Sequence, residues 1–115
     1  MITSGREDAR ADVWLEQADL SSLPVSTVLD ALADPARLEI AHLLAERGEA
    51  SCTSLGLPLA PSTVTHHLRV LRASGLIATR VKGTARLSHL RTEELERRFP
   101  GLLRAVLDAA APDPS

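Results

Sequence analysis

The sequence predicts a mainly α domain with one small β-hairpin, arranged as a winged helix-turn-helix. Three observations predict it. The segment from Ala50 to Thr92 contains no Asp or Glu, yet holds Arg69, Arg72, Arg80, Lys82, Arg86 and Arg91 together with His66, His67 and His89. Inside that segment, an amphipathic helical pattern opens at Pro61, apolar on one side and polar on the other. Two short alternating runs then flank Lys82-Gly83-Thr84, which reads as a hairpin. The whole chain carries 13 Lys and Arg against 15 Asp and Glu, so outside this segment seven bases face fifteen acids. A near-neutral total thus hides a basic module. A concentrated positive field is what a polyphosphate backbone requires of its partner.

At 115 residues the chain suits one domain. We place it at 7–111, with a flexible arm at 1–6 and a flexible tail at 112–115. Val13, Trp14 and Ala18 fall at helical spacing, so a first helix is expected from Glu7 to Ala18. Ser21, Ser22 and Pro24 end it. A second helix runs from Pro24 or Val25 to Leu32, with Val28, Leu29 and Leu32 on one side. Asp34-Pro35 starts a third: Asp34 can cap free N–H groups, and proline suits the first helical position. That helix carries Leu38, Ile40, Ala41, Leu43 and Leu44 and stops near Gly48. Gly56 and Pro58 leave room for only a short helix around Ser51 to Leu55. Pro61 opens the next, which ends at Ala73 or Ser74 with Gly75 as a left-handed cap. Ile77 to Lys82 and Ala85 to Leu90 form the hairpin. Thr92 is expected to cap a last helix, which Pro100-Gly101 kinks or splits.

Composition narrows the function. An aromatic fraction of 2% argues against bases stacked on aromatic platforms, as single-strand and RNA binders use. The single Cys52 allows no intrachain disulfide, which fits a reducing cytoplasmic setting. The charged N-terminal stretch does not read as a signal peptide, and no apolar run approaches membrane-spanning length. No nucleophile elbow, P-loop or zinc-helix motif is present, so an enzyme is not expected.

The helix from Pro61 carries the candidate site. Val64, His67, Leu68 and Leu71 share one face. Ser62, Thr65, His66, Arg69 and Arg72 share the other. Recognition helices place their N-terminal residues at base edges and their flanks on phosphates. Ser62, Thr65 and His66 are therefore assigned to bases, since hydroxyls and imidazole can bond several base edges. Arg69 and Arg72 are assigned to the DNA backbone, as is Thr63 at the helix N-terminus. Arg80, Lys82 and Arg86 around the hairpin tip join them, although basic edge strands also serve to deter aggregation. His67 reads as a hydrogen-bonded structural residue. His66 and His67 do not read as a metal pair, because adjacent helical residues point roughly 100° apart.

These residues carry a family resemblance. Leu32-Ala33-Asp34-Pro35-Ala36-Arg37, with Ile40 and Leu43-Leu44, resembles the "LADPTR…IL.LL" opening of the arsenic-repressor (ArsR/SmtB-type) regulators. Ser62-Thr63-Val64-Thr65-His66-His67-Leu68, with Val70-Leu71 and Ala73-Ser74-Gly75-Leu76-Ile77, resembles that family's "STVSHHLKVLREAGLV" recognition helix. The resemblance covers roughly Val25 to Leu95. It implies a bacterial, cytoplasmic homodimer that binds palindromic double-stranded operator DNA, represses, and releases DNA when an effector binds. It also implies a dimer formed by the first and last helices. Here those are the segment around Trp14 and the stripe Leu95, Phe99, Leu102, Leu103 and Val106, which can equally be intrachain core.

The departures are informative. Metal-sensing members often carry Cys-x-Cys before the helix-turn-helix, where this chain has Ala50-Ser51-Cys52-Thr53. Others hold zinc with Asp and His from the last helices, and no His lies between Thr92 and Ala111. No metal, no cofactor and no identified effector are therefore expected. Cys52 remains a possible sensor for thiol or redox chemistry, or a ligand shared across a dimer with His42 or His89. A winged-helix module that binds only proteins is the remaining alternative.

Overall fold

The computed structural model describes residues 12–111. The proposed arm, the proposed tail and the start of the first expected helix lie outside them. In chain order the elements are β1 (Asp12–Trp14), a 3-10 turn (Leu20–Ser22), α1 (Val25–Leu32), α2 (Pro35–Arg47), β2 (Ala50–Ser51), a second 3-10 turn (Thr53–Leu55), α3 (Pro61–Ala73), β3 (Ile77–Lys82), β4 (Ala85–Leu90), α4 (Thr92–Arg98) and α5 (Leu102–Ala110).

The helical half follows the sequence closely. Asp34 Oδ1 accepts from the N–H groups of Ala36 (2.8 Å) and Arg37 (3.1 Å), with Pro35 at the first helical position of α2. Gly48, at φ +85°, closes that helix. Helix α3 ends as expected. The N–H of Leu76 reaches back to the Leu71 carbonyl (3.0 Å) and that of Gly75 to Arg72 (3.1 Å), a turn that needs the positive φ of Gly75. Pro100-Gly101 splits the last helix in two. Its expected cap is corrected: Thr92 is the first helical residue rather than the cap, and no side chain caps α4.

The core sits where α1, α2, α3 and α5 meet the sheet. Ile40, Leu44, Leu71, Leu76, Ile77, Leu95 and Val28 are its most completely enclosed large side chains. These are the apolar faces of each amphipathic element, removed from water together.

The expected helix from Glu7 to Ala18 is corrected by the structure. Asp12–Trp14 is a strand and pairs antiparallel with β3, Val13 opposite Val81 and Trp14 opposite Arg80. The Leu15 N–H continues the pairing to the Thr79 carbonyl at 2.9 Å. A short isolated helix is marginal in water. The exposed edge of β3 offers unpaired backbone groups, and Val13-Trp14 suits a strand. Two arginines then hold the following loop. Arg91 Nη1 donates to the Ala18 carbonyl (2.8 Å), while Arg98 donates to the carbonyls of Leu20 and Leu23 (both 3.0 Å).

The sheet order is β1-β3-β4-β2. The hairpin is thus the centre of a four-stranded antiparallel sheet. Pairing of Ala50 with Ser88 and of Ser51 with Leu87 ties the wing to the segment just before α3, which fixes the wing relative to that helix.

Candidate nucleic-acid interface

Between α2 and α3 the chain makes a compact turn. Ser51 and Ser54 bond reciprocally: each side-chain hydroxyl accepts from the other's N–H, at 2.9 and 3.2 Å. Leu55 is buried beneath them, and Gly56 follows at φ +67°. The first helix of the motif is therefore reduced to the 3-10 turn Thr53–Leu55, the short element that Gly56 and Pro58 allow. Helix α3 then begins at Pro61 with no side-chain cap, because Ala60 has none to offer. Pro61 has no N–H, and the Thr63 N–H donates to the Ala60 carbonyl (2.9 Å), so the Ser62 N–H is the one left for an outside acceptor at this helix N-terminus.

Ser62, Thr63, Thr65, His66 and Arg69 are all exposed on α3, and Arg72 is half-buried. Val64 and Leu71 are buried on the other face. His67 Nδ1 lies 3.3 Å from Arg37 Nη1, and Arg37 Nε donates to the Ala31 carbonyl at 2.7 Å. Since guanidinium only donates, Nδ1 accepts and the neutral His67 ring carries its proton on Nε2. His67 thus ties α3 to the start of α2. The His66 and His67 rings are 5.8 Å apart and tilted by 52°.

On the wing, Lys82 and Arg86 are exposed beside the tip, where Gly83 takes φ +62°. Arg80 is different, because a partner within the fold already holds it. Its Nε and Nη2 donate to the two carboxylate oxygens of Glu49, at 2.8 and 2.9 Å. Glu49 lies one residue before the acid-free segment, so the fold brings back an acid that the linear charge pattern excludes.

That pair, led by the hydrogen bond from Arg80, holds the Glu49 carboxyl below the ordinary Glu value of 4.5. Glu94 is lowered in the same way by Arg91. Asp34 is lowered first by the Arg37 N–H. Depressed carboxylates contribute stability above their unfolded pKa, and it is lost as pH falls through the folded value. Thermal midpoints should therefore hold between pH 7 and about 5 and fall below about pH 4.5. Glu49→Gln should flatten part of that fall, and an unchanged acid profile would show that the Arg80 pair contributes nothing.

The expected dimer residues divide. Leu95 and Leu103 are 2% and 8% exposed and belong to the core of their own chain. Trp14 is on the wing sheet, edge-on to His89 with ring centroids 5.6 Å apart. The helix that was to carry Trp14 into a dimer is absent there. Phe99, Leu102, Val106 and Leu107 are only partly buried.

Cys52 is half-buried, with Sγ 4.0 Å from the Pro61 carbonyl. Among the described residues no group of three or more His, Cys, Asp or Glu side chains is placed to hold a metal ion. None of the described helices is long and apolar enough to cross a membrane.

Sequence reasoning missed the Glu49–Arg80 pair and the Arg91 and Arg98 ties. It also missed the buried Thr79–Ser88 hydroxyl pair, at 2.8 Å. The last had a signal: a loop of Gly83-Thr84 pairs Lys82 with Ala85, and counting back puts Thr79 opposite Ser88.

The chain as a whole is similar to known proteins. Residues 32–80 match the model of a helix-turn-helix domain family. The chain is 32% identical over 82 residues to the HTH-type transcriptional regulator YceK of Bacillus subtilis, covering 69% of this chain and 82% of that one. It is 33% identical over 78 residues to the arsenical resistance operon repressor of Staphylococcus xylosus, covering 67% of this chain and 75% of the repressor. Among solved structures, Rv0081 of M. tuberculosis superposes with a TM-score of 0.53 at 31% identity, over 78% of this chain and all of that one. An ArsR family transcriptional regulator superposes with a TM-score of 0.57 at 24% identity, over 75% and 86% of the two chains. With the winged fold and the exposed polar face of α3 in place, these likenesses decide the matter: the chain belongs to the ArsR-type family of helix-turn-helix transcriptional regulators, and is not an enzyme.

Proposed function

We propose that this protein is a cytoplasmic homodimeric repressor of palindromic operator DNA. Two copies pair through the half-buried side of α4 and α5, around Phe99, Leu102 and Val106. Each places α3 in the major groove, with half-sites about one helical turn apart. Ser62, Thr65 and His66 meet base edges. Thr63, Arg69, Arg72, Lys82 and Arg86 meet phosphates. Effector release works without the Cys-x-Cys site or the last-helix zinc site of metal-sensing members, because the residues for both are missing from the sequence.

The observation that carries this reading is the exposed polar face of α3 continuing into a wing whose Lys82 and Arg86 are also exposed. Fluorescence anisotropy on duplex from the protein's own upstream region, with random duplex as control, tests it. Selective, salt-sensitive binding is expected. Equal weak binding to both duplexes at low and high salt would defeat it. His66→Ala should cost about 1–3 kcal/mol on the cognate site and little on random DNA. Equal losses on both would remove His66 from the base contacts.

A further inference from the structure

The arginines of this chain divide by what they touch. Arg37 holds the Ala31 carbonyl and His67, Arg80 holds Glu49, Arg91 holds Glu94 and Ala18, and Arg98 holds Leu20 and Leu23. Each is a staple within the fold. Arg69, Arg72 and Arg86 have no hydrogen bond or ion pair with any described residue. Arg97 and Arg104 have none either, but it is Arg69, Arg72 and Arg86 that converge.

Arg69 and Arg72 come from successive turns of α3 and Arg86 from β4. Together they line an open cleft of about 500 Å³ whose far wall is Leu15, Glu16, Gln17 and Ala18. The same three line a smaller recess of about 70 Å³ between α3 and the wing. That volume is several times what one water requires. Three like charges gathered without a counter-ion are unfavourable by themselves. The Arg72 guanidinium is indeed lowered from its ordinary value, first by burial and then by Arg69 and Arg86, though guanidinium stays charged.

The recess contributes more than charge. Thr79 and Ser88 line it, each 3% exposed, and their hydroxyls bond to one another at 2.8 Å. Two hydroxyls hold two protons and that bond uses one. The accepting hydroxyl keeps a proton to donate, and no described residue receives it. Thr65 and Cys52 complete the polar lining. Glu16 lines the outer cleft but not the recess.

We propose that the recess between α3 and β4 binds a small oxyanion of the phosphate class, held by Arg69, Arg72 and Arg86 with the spare hydroxyl proton of the Thr79–Ser88 pair. Guanidinium suits such an anion because its planar donors match phosphate oxygens in pairs. Binding needs no DNA. Its consequence for DNA rests on the function proposed above, since the same guanidiniums are assigned there to backbone phosphates. An occupied recess then competes with the operator, which makes the site an effector site.

The test uses the full chain and inorganic phosphate, titrated calorimetrically at constant ionic strength against chloride. Saturable binding is expected, together with slower alkylation of Cys52 by iodoacetamide as the recess fills. Arg86→Gln should weaken it about tenfold, the scale of one lost charge-assisted hydrogen bond. Ser88→Ala, which leaves all three charges in place, should weaken it less. Phosphate acting no differently from chloride, on both heat and Cys52 alkylation, would overturn the site. A second arm adds operator duplex. Displacement by phosphate beyond that by chloride, reduced in Ser88→Ala, which keeps the charges assigned to DNA, supports competition. Phosphate binding without displacement would keep the site and overturn its effector role. Phosphate binding by a protein that ignores DNA would leave the site standing and overturn the proposed function alone.

Discussion

Gly75→Ala is expected to destabilise the domain by about 2–5 kcal/mol, from left-handed backbone strain and overpacking together. Gly75 sits at φ +85°, where an L side chain is strained in any surroundings. Its surroundings add to the cost. A Cβ there would lie 2.4 Å from Leu20 Cδ2, 3.1 Å from Leu20 Cγ and 3.1 Å from Leu23 Cδ1. Those leucines cannot retreat easily, because Leu20 is buried and Arg98 holds both of their carbonyls. At roughly 4–8 °C of melting temperature per kcal/mol for a domain this small, a fall of about 8 °C or more follows. Gly56→Ala is the control. It has a similar φ of +67° but open space around its Cβ position, so it should show only the backbone cost of about 1–2 kcal/mol. Denaturant midpoints of the two variants decide the matter. If Gly75→Ala loses no more than Gly56→Ala, the close approach of Leu20 to the end of α3 is not a packing constraint.

Gly75 also shows what the sequence made legible. A glycine after an amphipathic run marks a helix end, and that expectation needs only local chemistry. The same is true of Asp34-Pro35, of the Ala60-Pro61 start without a cap and of the split at Pro100-Gly101. Each depends on residues within one turn of one another. The hairpin was legible for a similar reason, since Gly83 fixes both its turn and its register. What failed depended on distant partners. Nothing near Trp14 announces that β3 has a free edge to accept Asp12–Trp14. Local spacing favoured a helix, and pairing with a strand nearly seventy residues away overrode it. Glu49 and Arg80 are 31 positions apart, so a charge pattern read along the chain could not pair them. The stripe on α4 and α5 was read correctly as apolar. Which of its residues face the protomer core depends on how α5 lies against α2, and this gave Leu95 and Leu103 to the interior while leaving Phe99, Leu102 and Val106 partly open.

The ion pair at Arg80 sharpens the strongest expectation about DNA. Each phosphate contact contributes about 0.9 to the slope of log affinity against log salt. Replacing Arg72 or Arg86 by Gln should therefore reduce the slope by about 0.9 if one contact is lost, and by about 1.8 if each protomer of a dimer loses one. At 0.1 M salt each contact corresponds to about eightfold in affinity, so a dimeric variant should bind more than about fiftyfold more weakly, on cognate and random duplex alike. Arg80→Gln should behave differently. Glu49 already neutralises that guanidinium at 2.8 and 2.9 Å, so the slope should change little while acid and thermal stability decline. Anisotropy titrations at four or more salt concentrations separate these cases. A slope unchanged by Arg86→Gln would remove the wing from the backbone contacts. A slope that falls as far for Arg80→Gln as for Arg86→Gln would mean that DNA draws Arg80 away from Glu49. The ion pair would then be a competitor that the duplex must displace, not a fixed brace of the wing.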